Sequence, residues 1–342
     1  MTDITVMGAG IFGLSVAWSC VLRGAKVRVI DPHGPGSGAS GGVVGALAPH
    51  VPENWNDKKA FQFESLMMAA EFWAGVQAAG GLSPGYARLG RVQPILDAAG
   101  LALARQRAGN ATTLWQGKAH WSVERAAGDW MPASPTGFVI HDTLSARLHP
   151  RLACAALVAA LRARGTQMLR DGRAEGKVIW ATGVAGLEEL NAARGSVVGS
   201  AVKGQAAMLA CDARDQPQIF ADGLHIVPHE DGTVAVGSTS ERIYADPTGT
   251  DAQLDALIAR ARDALPVLAG ARVLDRWAGL RPRARTRAPM LGAHPLRAGA
   301  FIANGGFKIG FGMAPKVGQV MADLILDGVD NIPAGFAPDA SL

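Results

Sequence analysis

Three features of the sequence predict an α/β fold of two intimately joined domains. A short apolar run at the N-terminus leads into a glycine triplet and a helical pattern. A second apolar run, a glycine loop and another helical pattern close the chain. Between them the residues read mainly as antiparallel strands joined by turns. This order implies an α/β domain assembled from separate segments, 1–85, 143–198 and 278–342, with a sheet-rich domain of residues 86–142 and 199–277 inserted between them. A length of 342 residues, beyond one ordinary domain, agrees with two.

Taken in order, Ile4–Met7 is a short apolar strand, followed by Gly8-Ala-Gly10-Ile-Phe-Gly13. A helix runs through Leu14, Ala17, Trp18, Val21 and Leu22 to Gly24, and Val27–Asp31 is the second strand. Pro32–Gly45 is a glycine- and serine-rich loop. Asp57 is expected to cap a long amphipathic helix carrying Phe61, Leu66, Met67, Ala70 and Trp73. Residues 86–96 and 137–142 read as strands, and His149-Pro150 opens a helix through Leu161. Val178–Ala181 is a short apolar strand ending at Thr182-Gly183. Leu224–His229 and Thr233–Ser238 flank Glu230-Asp231-Gly232 as a hairpin. A helix through Leu254 and Leu265 follows, then strand Ala300–Ala303, glycine loop Asn304–Gly312 and helix Met313–Leu326.

Composition narrows the function classes. Hydrophobic residues are 49% and charged ones 18%, enough for a core and unlike a disordered chain. The formal net charge of +4 suits an anionic cofactor or substrate but is too small and scattered to point to nucleic acid. Cys20, Cys154 and Cys211 lack metal-ligand spacing and read as reduced packing residues of a cytoplasmic protein. The histidines form no ligand pattern, so no metal is expected. No apolar run reaches the ~18 residues that span a bilayer. The first apolar run lacks a basic leader and reads as a strand, not a signal peptide.

The 43 glycines carry the chemistry. Gly8 permits the tight turn out of the first strand, Gly10 lets backbone approach a pyrophosphate, and Gly13 lets the helix pack on the strands. The helix N-terminus offers N–H groups and a positive dipole end to phosphates. Asp31, at the end of the next strand, has the spacing of a ribose hydroxyl acceptor. Such a fingerprint serves NAD or FAD. FAD is favoured by the Ala-Thr182-Gly183 strand end and by Asn304–Gly310, which aims a second helix N-terminus at an isoalloxazine ring. One complete fingerprint leaves no second dinucleotide domain. Gly38-Ala39-Ser40-Gly-Gly42 fits the G-x-S-x-G of hydrolases, but Pro32, Gly34, Pro35 and Gly36 exclude the strand that a nucleophile elbow needs. A contact from Ser40 to the FAD phosphates is expected instead.

On these residues the sequence resembles the glycine oxidase and D-amino-acid oxidase family of flavoproteins, whose fold is a Rossmann-like FAD domain of the glutathione-reductase type with an inserted antiparallel-sheet substrate domain. The matching stretches are Gly8–Asp31, Gly38-Ala-Ser40 through Ala48-Pro49, His225-Ile-Val-Pro with Val236–Thr239, Trp277-Ala-Gly-Leu-Arg281-Pro282, and Gly305–Pro315. The resemblance implies noncovalent FAD held by Gly8, Gly10, Ile11, Phe12, Gly13, Asp31, Pro32, Gly38, Ala39, Ser40, Val44, Gly45, Ala46, Thr182, Gly183, Gly305, Gly306, Phe307, Lys308, Ile309 and Gly310. It also implies a substrate carboxylate on Arg281, with Lys308 and His225 beside it. Lys308 serves there either the carboxylate or oxygen reactivity, and His225 lines the pocket or packs a strand. The departures are Asp31 where the family has Glu, Ala-Thr-Gly for the commoner Ala-Ala-Gly, and only about a dozen residues between Gly165 and Val178, where relatives carry several strands.

The implied activity is oxidation of the C–N bond of a small amino acid or secondary amine of the glycine, sarcosine or D-amino-acid type. Hydride passes to flavin N5, the imine hydrolyses, and O2 or another acceptor reoxidises the flavin. The amine must be neutral to release hydride; Arg281 aligns the α-C–H, and no dedicated base is required. The alternative within the family is oxidation of the carboxymethylaminomethyl group of a tRNA wobble uridine, with which the arginines from Arg281 to Arg287 are compatible. A homo-oligomer is compatible with either.

Overall fold

The computed structural model describes residues 2–342. Two sheets organise the chain, and the fold class is the one the sequence predicts. The first has six strands in the spatial order Met290–Ala293, Phe301–Asn304, Lys177–Trp180, Ile4–Met7, Val27–Ile30 and Gln167–Leu169. All pairings are parallel except the outer pair Met290–Ala293 with Phe301–Asn304. Ile4, Val6, Val27, Val29 and Ile179 fill its interior with β-branched side chains, as a sheet covered by helices requires. Helices Ile11–Leu22, Asp57–Gly80, Pro150–Ala163 and Gly310–Ala322 pack into one core around Trp18, Trp73, Leu157 and Met313. Among the described residues no helix is long and apolar enough to cross a membrane.

The second sheet has eight strands in the order Val273–Ala284, Gly199–Ala210, Thr233–Gly237, Leu224–Pro228, Gln218–Ala221, Arg91–Pro94, Phe138–Asp142 and Trp121–Arg125. Only Gln218–Ala221 with Arg91–Pro94 is parallel. Side chains alternate between the faces of a strand, so each strand serves two surroundings. One face presents Ala207, Leu209, Ile226, Val234 and Val236 to Leu254, Leu257, Ile258 and Ala261 of helix Ala252–Ala264. The other presents Ala206, Val227, Ala235 and Trp277 to Val43, Val44 and Ala46 of the glycine loop. The loop that leaves the first sheet is thereby wedged against the second. The strand Val273–Ala284 runs uninterrupted across residue 278.

Several elements differ from the sequence reading. Asn56, not Asp57, caps the long helix, its side chain accepting from the Lys59 N–H at 3.2 Å. The expected strand over 86–96 shrinks to Arg91–Pro94, with an isolated bridge at Ala87. The last helix begins at Gly310 and passes into a π turn at Asp323–Asp327. Helices Ala98–Leu114 and Gly183–Arg194 were not legible. The short link after Gly165 supplies one edge strand, Gln167–Leu169, and returns through Gly176 to Lys177.

Candidate functional site

The first strand ends in a turn that only glycine makes. Gly8 has φ of +107°, and a Cβ there would meet the Ala181 carbonyl oxygen at 2.4 Å. A Cβ on Gly13 would lie 2.0 Å from the Gly8 carbonyl, so the helix rests on the turn itself. Asp31 Oδ2 accepts the Ala9 N–H at 2.8 Å, and Oδ1 accepts the His33 N–H at 2.9 Å across Pro32. Each oxygen keeps a second lone pair, which leaves acceptor capacity for ribose hydroxyls. Ser40, in a single 3-10 turn over Ala39–Gly41 that follows Gly38, accepts the Ile11 N–H at 2.9 Å. It sits at the helix N-terminus as a phosphate contact would, and no strand precedes it, so the hydrolase reading is excluded by geometry.

The C-terminal glycine loop meets the first helix. A Cβ on Gly306 would lie 2.9 Å from the Phe12 ring, and one on Gly310 would lie 3.5 Å from the Ile11 side chain. The N-termini of helices Ile11–Leu22 and Gly310–Ala322 therefore stand side by side, two positive dipole ends directed to one region. Asn304 ties this loop to the strand end at Thr182: its Nδ2 donates to the Gly183 carbonyl, and its Oδ1 accepts the Gly305 N–H, both at 2.8 Å. Gly45 and Ala46 continue the other loop into a short ladder, Ala46-Leu47 against Ala146-Arg147. These residues form a cradle that side chains larger than hydrogen would fill, which fits a dinucleotide.

Arg281 stands on the second sheet's loop-facing side, on the same face as Trp277, whose ring packs on Gly42. It is buried, with 8% exposure, and burial pushes its pKa down to about 10 against the pull of Glu241. Nη1 donates to the Thr239 carbonyl at 3.2 Å; among the described residues its other N–H groups have no acceptor. Glu241 accepts from Gln205 at 3.1 Å and from the Thr239 hydroxyl, and lies 3.6 Å from the buried Lys203 ammonium. A buried guanidinium with open donors can take a carboxylate.

His225 occupies the same sheet face three strands away, paired in register with Gly237. Its ring lies 4.7 Å from that of Phe220, and its buried Nδ1 has no partner. Burial, with Arg91 and Lys308 nearby, lowers its pKa to about 3, so it is neutral. Lys308 comes from the other sheet's loop, between Phe307 and Ile309. Its head is exposed, yet the protein wall around it, and then Arg281, lower its pKa. Phe307, at φ of +46°, donates its N–H to the Pro282 carbonyl at 3.0 Å, which fastens this loop beside Arg281. The structure thus brings Lys308 near both Arg281 and His225. Sequence reasoning missed Gly204 and Glu241, which with Thr239 surround Arg281. His50, after the loop, is held by Gln62.

Fold and cradle define a dinucleotide-dependent enzyme with a buried arginine beside the cradle. Residues 3–324 match the family described as FAD dependent oxidoreductase (DAO), and the chain belongs to it. The protein is an FAD-dependent oxidoreductase. It is 29% identical to the glycine oxidase of Pseudomonas putida over 99% of both chains. That alignment extends over 385 positions, more than this chain has residues, so the relative carries segments absent here. It is 26% identical to the bifunctional protein ThiO/ThiG of Trichormus variabilis over 95% of this chain and 53% of that one. The fold is that of the glycine oxidase of Geobacillus kaustophilus, with a TM-score of 0.82 at 22% identity over 98% of this chain and 97% of that one. The iminodiacetate oxidase of Chelativorans sp. BNC1 has the same TM-score at 20% identity, over 98% and 99%.

Proposed function

We propose that the protein oxidises the C–N bond of a small amino acid or secondary amine, with Arg281 binding the substrate carboxylate. The observation that carries this reading is the buried Arg281 guanidinium, one N–H on Thr239 and the rest open toward the loop-facing side of the sheet. The names of the glycine oxidase and ThiO/ThiG relatives favour a small substrate over a modified tRNA.

The first sheet with its helices serves as the FAD domain, mainly residues 1–85, 143–198 and 278–342. The second, from 86–142 and 199–277, serves as the substrate domain. FAD is held noncovalently by the two glycine loops, Asp31 and Ser40, and supplies the acceptor for two electrons. The chain's own residues do the positioning. Arg281 fixes the carboxylate and so the α-C–H vector, the neutral His225 offers a ring nitrogen to the substrate, and the wall of Trp277, Val43 and Val44 keeps water from one side. Lys308 holds positive charge near Arg281. No carboxylate stands as base, so the substrate amine enters neutral and the reaction should strengthen as pH rises toward the amine's own pKa. Dioxygen is the proposed final acceptor, and the cytoplasm the proposed compartment.

Anaerobic mixing with glycine, sarcosine, D-alanine, D-proline and a tRNA bearing the modified uridine tests the reading. Bleaching of the flavin by at least one small amino acid is the expected result. Bleaching by the tRNA alone would overturn it.

A further inference from the structure

We infer that Lys203 is the counter-ion that holds Glu241 off Arg281 and so keeps the guanidinium open to a substrate carboxylate. The inference rests on the amine-oxidising reading and adds a positioning residue to it. Three consecutive residues of strand Gly199–Ala210 divide the charges. Side chains alternate along a strand, so Lys203 and Gln205 share one face and Gly204 presents the other. Arg281 lies on the Gly204 face, its guanidinium against the bare glycine backbone. Glu241 belongs to the opposite face. Two backbone hydrogen bonds bridge it to Lys203: the Lys203 N–H donates to its carbonyl at 3.0 Å, and its N–H donates to the Lys203 carbonyl at 2.9 Å. Residues opposed in this way point to the same face.

The carboxylate is gripped there. Gln205 Nε2 donates to Glu241 Oε1 at 3.1 Å, the Thr239 hydroxyl donates to the same oxygen, and Lys203 Nζ lies 3.6 Å from Oε2. Lys203, Gln205 and Glu241 are all buried. Lys203 also lies 3.9 Å from Asp251, but that side chain is half-exposed and caps helix Ala252–Ala264, accepting the Gln253 N–H at 2.9 Å. Thr239 links Glu241 to Arg281, since its carbonyl accepts from Arg281 Nη1 at 3.2 Å. Glu241 is thus near enough to pull the Arg281 pKa up against burial. Among the described residues, however, Arg281 makes no ion pair, and Glu241 pairs with Lys203.

This cluster therefore buries two cations, Lys203 and Arg281, with one carboxylate between them. An uncompensated charge is costly away from water, so a buried carboxylate takes the cation within its reach. With Lys203 in place, Arg281 keeps its open donors. With the ammonium removed, Arg281 is the remaining cation of the cluster. Pairing with Glu241 would then consume the charge that a substrate needs.

The test uses the FAD-loaded enzyme, with acetate as the carboxylate probe and perturbation of the flavin spectrum as the readout. Lys203→Met is expected to bind acetate about tenfold or more weakly than wild type. Glu241→Gln should bind at least as well as wild type. Lys203→Met/Glu241→Gln should return to within about threefold, because the ammonium is needed only against the carboxylate. A purely structural lysine would gain nothing from the loss of Glu241. Should Lys203→Met lose its flavin, Glu241→Gln and the double variant decide the matter. Wild-type affinity in Lys203→Met, or weaker binding by Glu241→Gln or by the double variant beyond about threefold, would overturn the inference. Anaerobic reduction of the wild-type flavin by glycine, sarcosine, D-alanine and D-proline separates the two levels. If an amino acid reduces it and the variants behave otherwise than expected, the Lys203 inference alone fails. If none does, the amine-oxidising reading fails and the inference falls with it.

Discussion

The Arg281 guanidinium lies flat against the backbone of Gly204, so close that a Cβ on Gly204 would stand 1.9 Å from both terminal nitrogens. Arg281 pairs in register with Val202, and Gly204 with Gly279, so the guanidinium lies over Gly204 while the Trp277 ring covers Gly279 on the neighbouring strand. The backbone there is ordinary strand that any residue adopts. Gly204→Ala is therefore expected to fold and bind FAD, and to displace the guanidinium. Loss of a bidentate carboxylate contact should lower kcat/KM for amino acids by about ten- to a hundredfold. Kinetics with unchanged kcat/KM would show that Arg281 does not read substrate from this position.

Arg281 itself gives a sharper comparison. Arg281→Ala should leave the flavin spectrum nearly intact and cost an amino-acid substrate on the order of 1.5–3 kcal/mol in transition-state stabilisation. Arg281→Lys should recover part, because an ammonium lacks the planar fork. The decarboxylated amine should be far less sensitive. Reductive half-reaction rates for an amino acid and its amine decide it: equal losses for both would remove Arg281 from the carboxylate.

How much of this site was legible depends on how local its parts are. Gly8, Gly10, Gly13 and Asp31 lie within one βαβ opening, so turn chemistry and spacing expose them. The partners of Arg281 come from separate strands: Gly204 from Gly199–Ala210, and Thr239 with Glu241 just past Thr233–Gly237. Which residues meet there is set by strand register, which the sequence states nowhere. Strand Gly199–Ala210 also hides itself, since Val202 to Ala207 are buried without alternation and include Lys203 and Gln205. Helix Ala98–Leu114 buries only Ala104 and Ala111, too little for an apolar stripe. The arginine was found through resemblance; its setting required the fold.

The cofactor cradle predicts its own failure. A Cβ on Gly10 would come 3.3 Å from Ser40 Oγ, the oxygen that accepts the Ile11 N–H. Alanine needs only a small shift there, whereas the branched side chain of Gly10→Val fills the approach to the pyrophosphate. Gly10→Val is expected to purify colourless and folded, and Gly10→Ala to retain flavin. Wild-type FAD should leave the protein on acid precipitation. Flavin that stays with the pellet would overturn noncovalent attachment, and full flavin content in Gly10→Val would overturn the placement.

A pair of buried histidines packed ring against ring at a tilt sets an acid limit on stability. The rings of His149 and His229 lie 4.5 Å apart, with His229 at 0% exposure. Burial, and then His149, push the His229 pKa down to about 3, and burial also lowers that of His149. His149 caps helix Pro150–Ala163 at its N-terminus, where the dipole opposes a positive charge. The sign follows from linkage. The unfolded chain takes up these protons near pH 6.5, and the folded protein refuses them until about pH 3 for His229. Stability contributed by the neutral form is therefore full above pH 6.5 and falls as the pH drops through that window. For His229 the loss between pH 6.5 and pH 5 is about 2 kcal/mol. Denaturant titrations of the FAD-loaded protein across this range should show the decline, and His229→Gln should make it shallower by about that amount, whatever the variant's stability at pH 7. Parallel pH curves for the two proteins would mean that His229 already carries its proton in the fold.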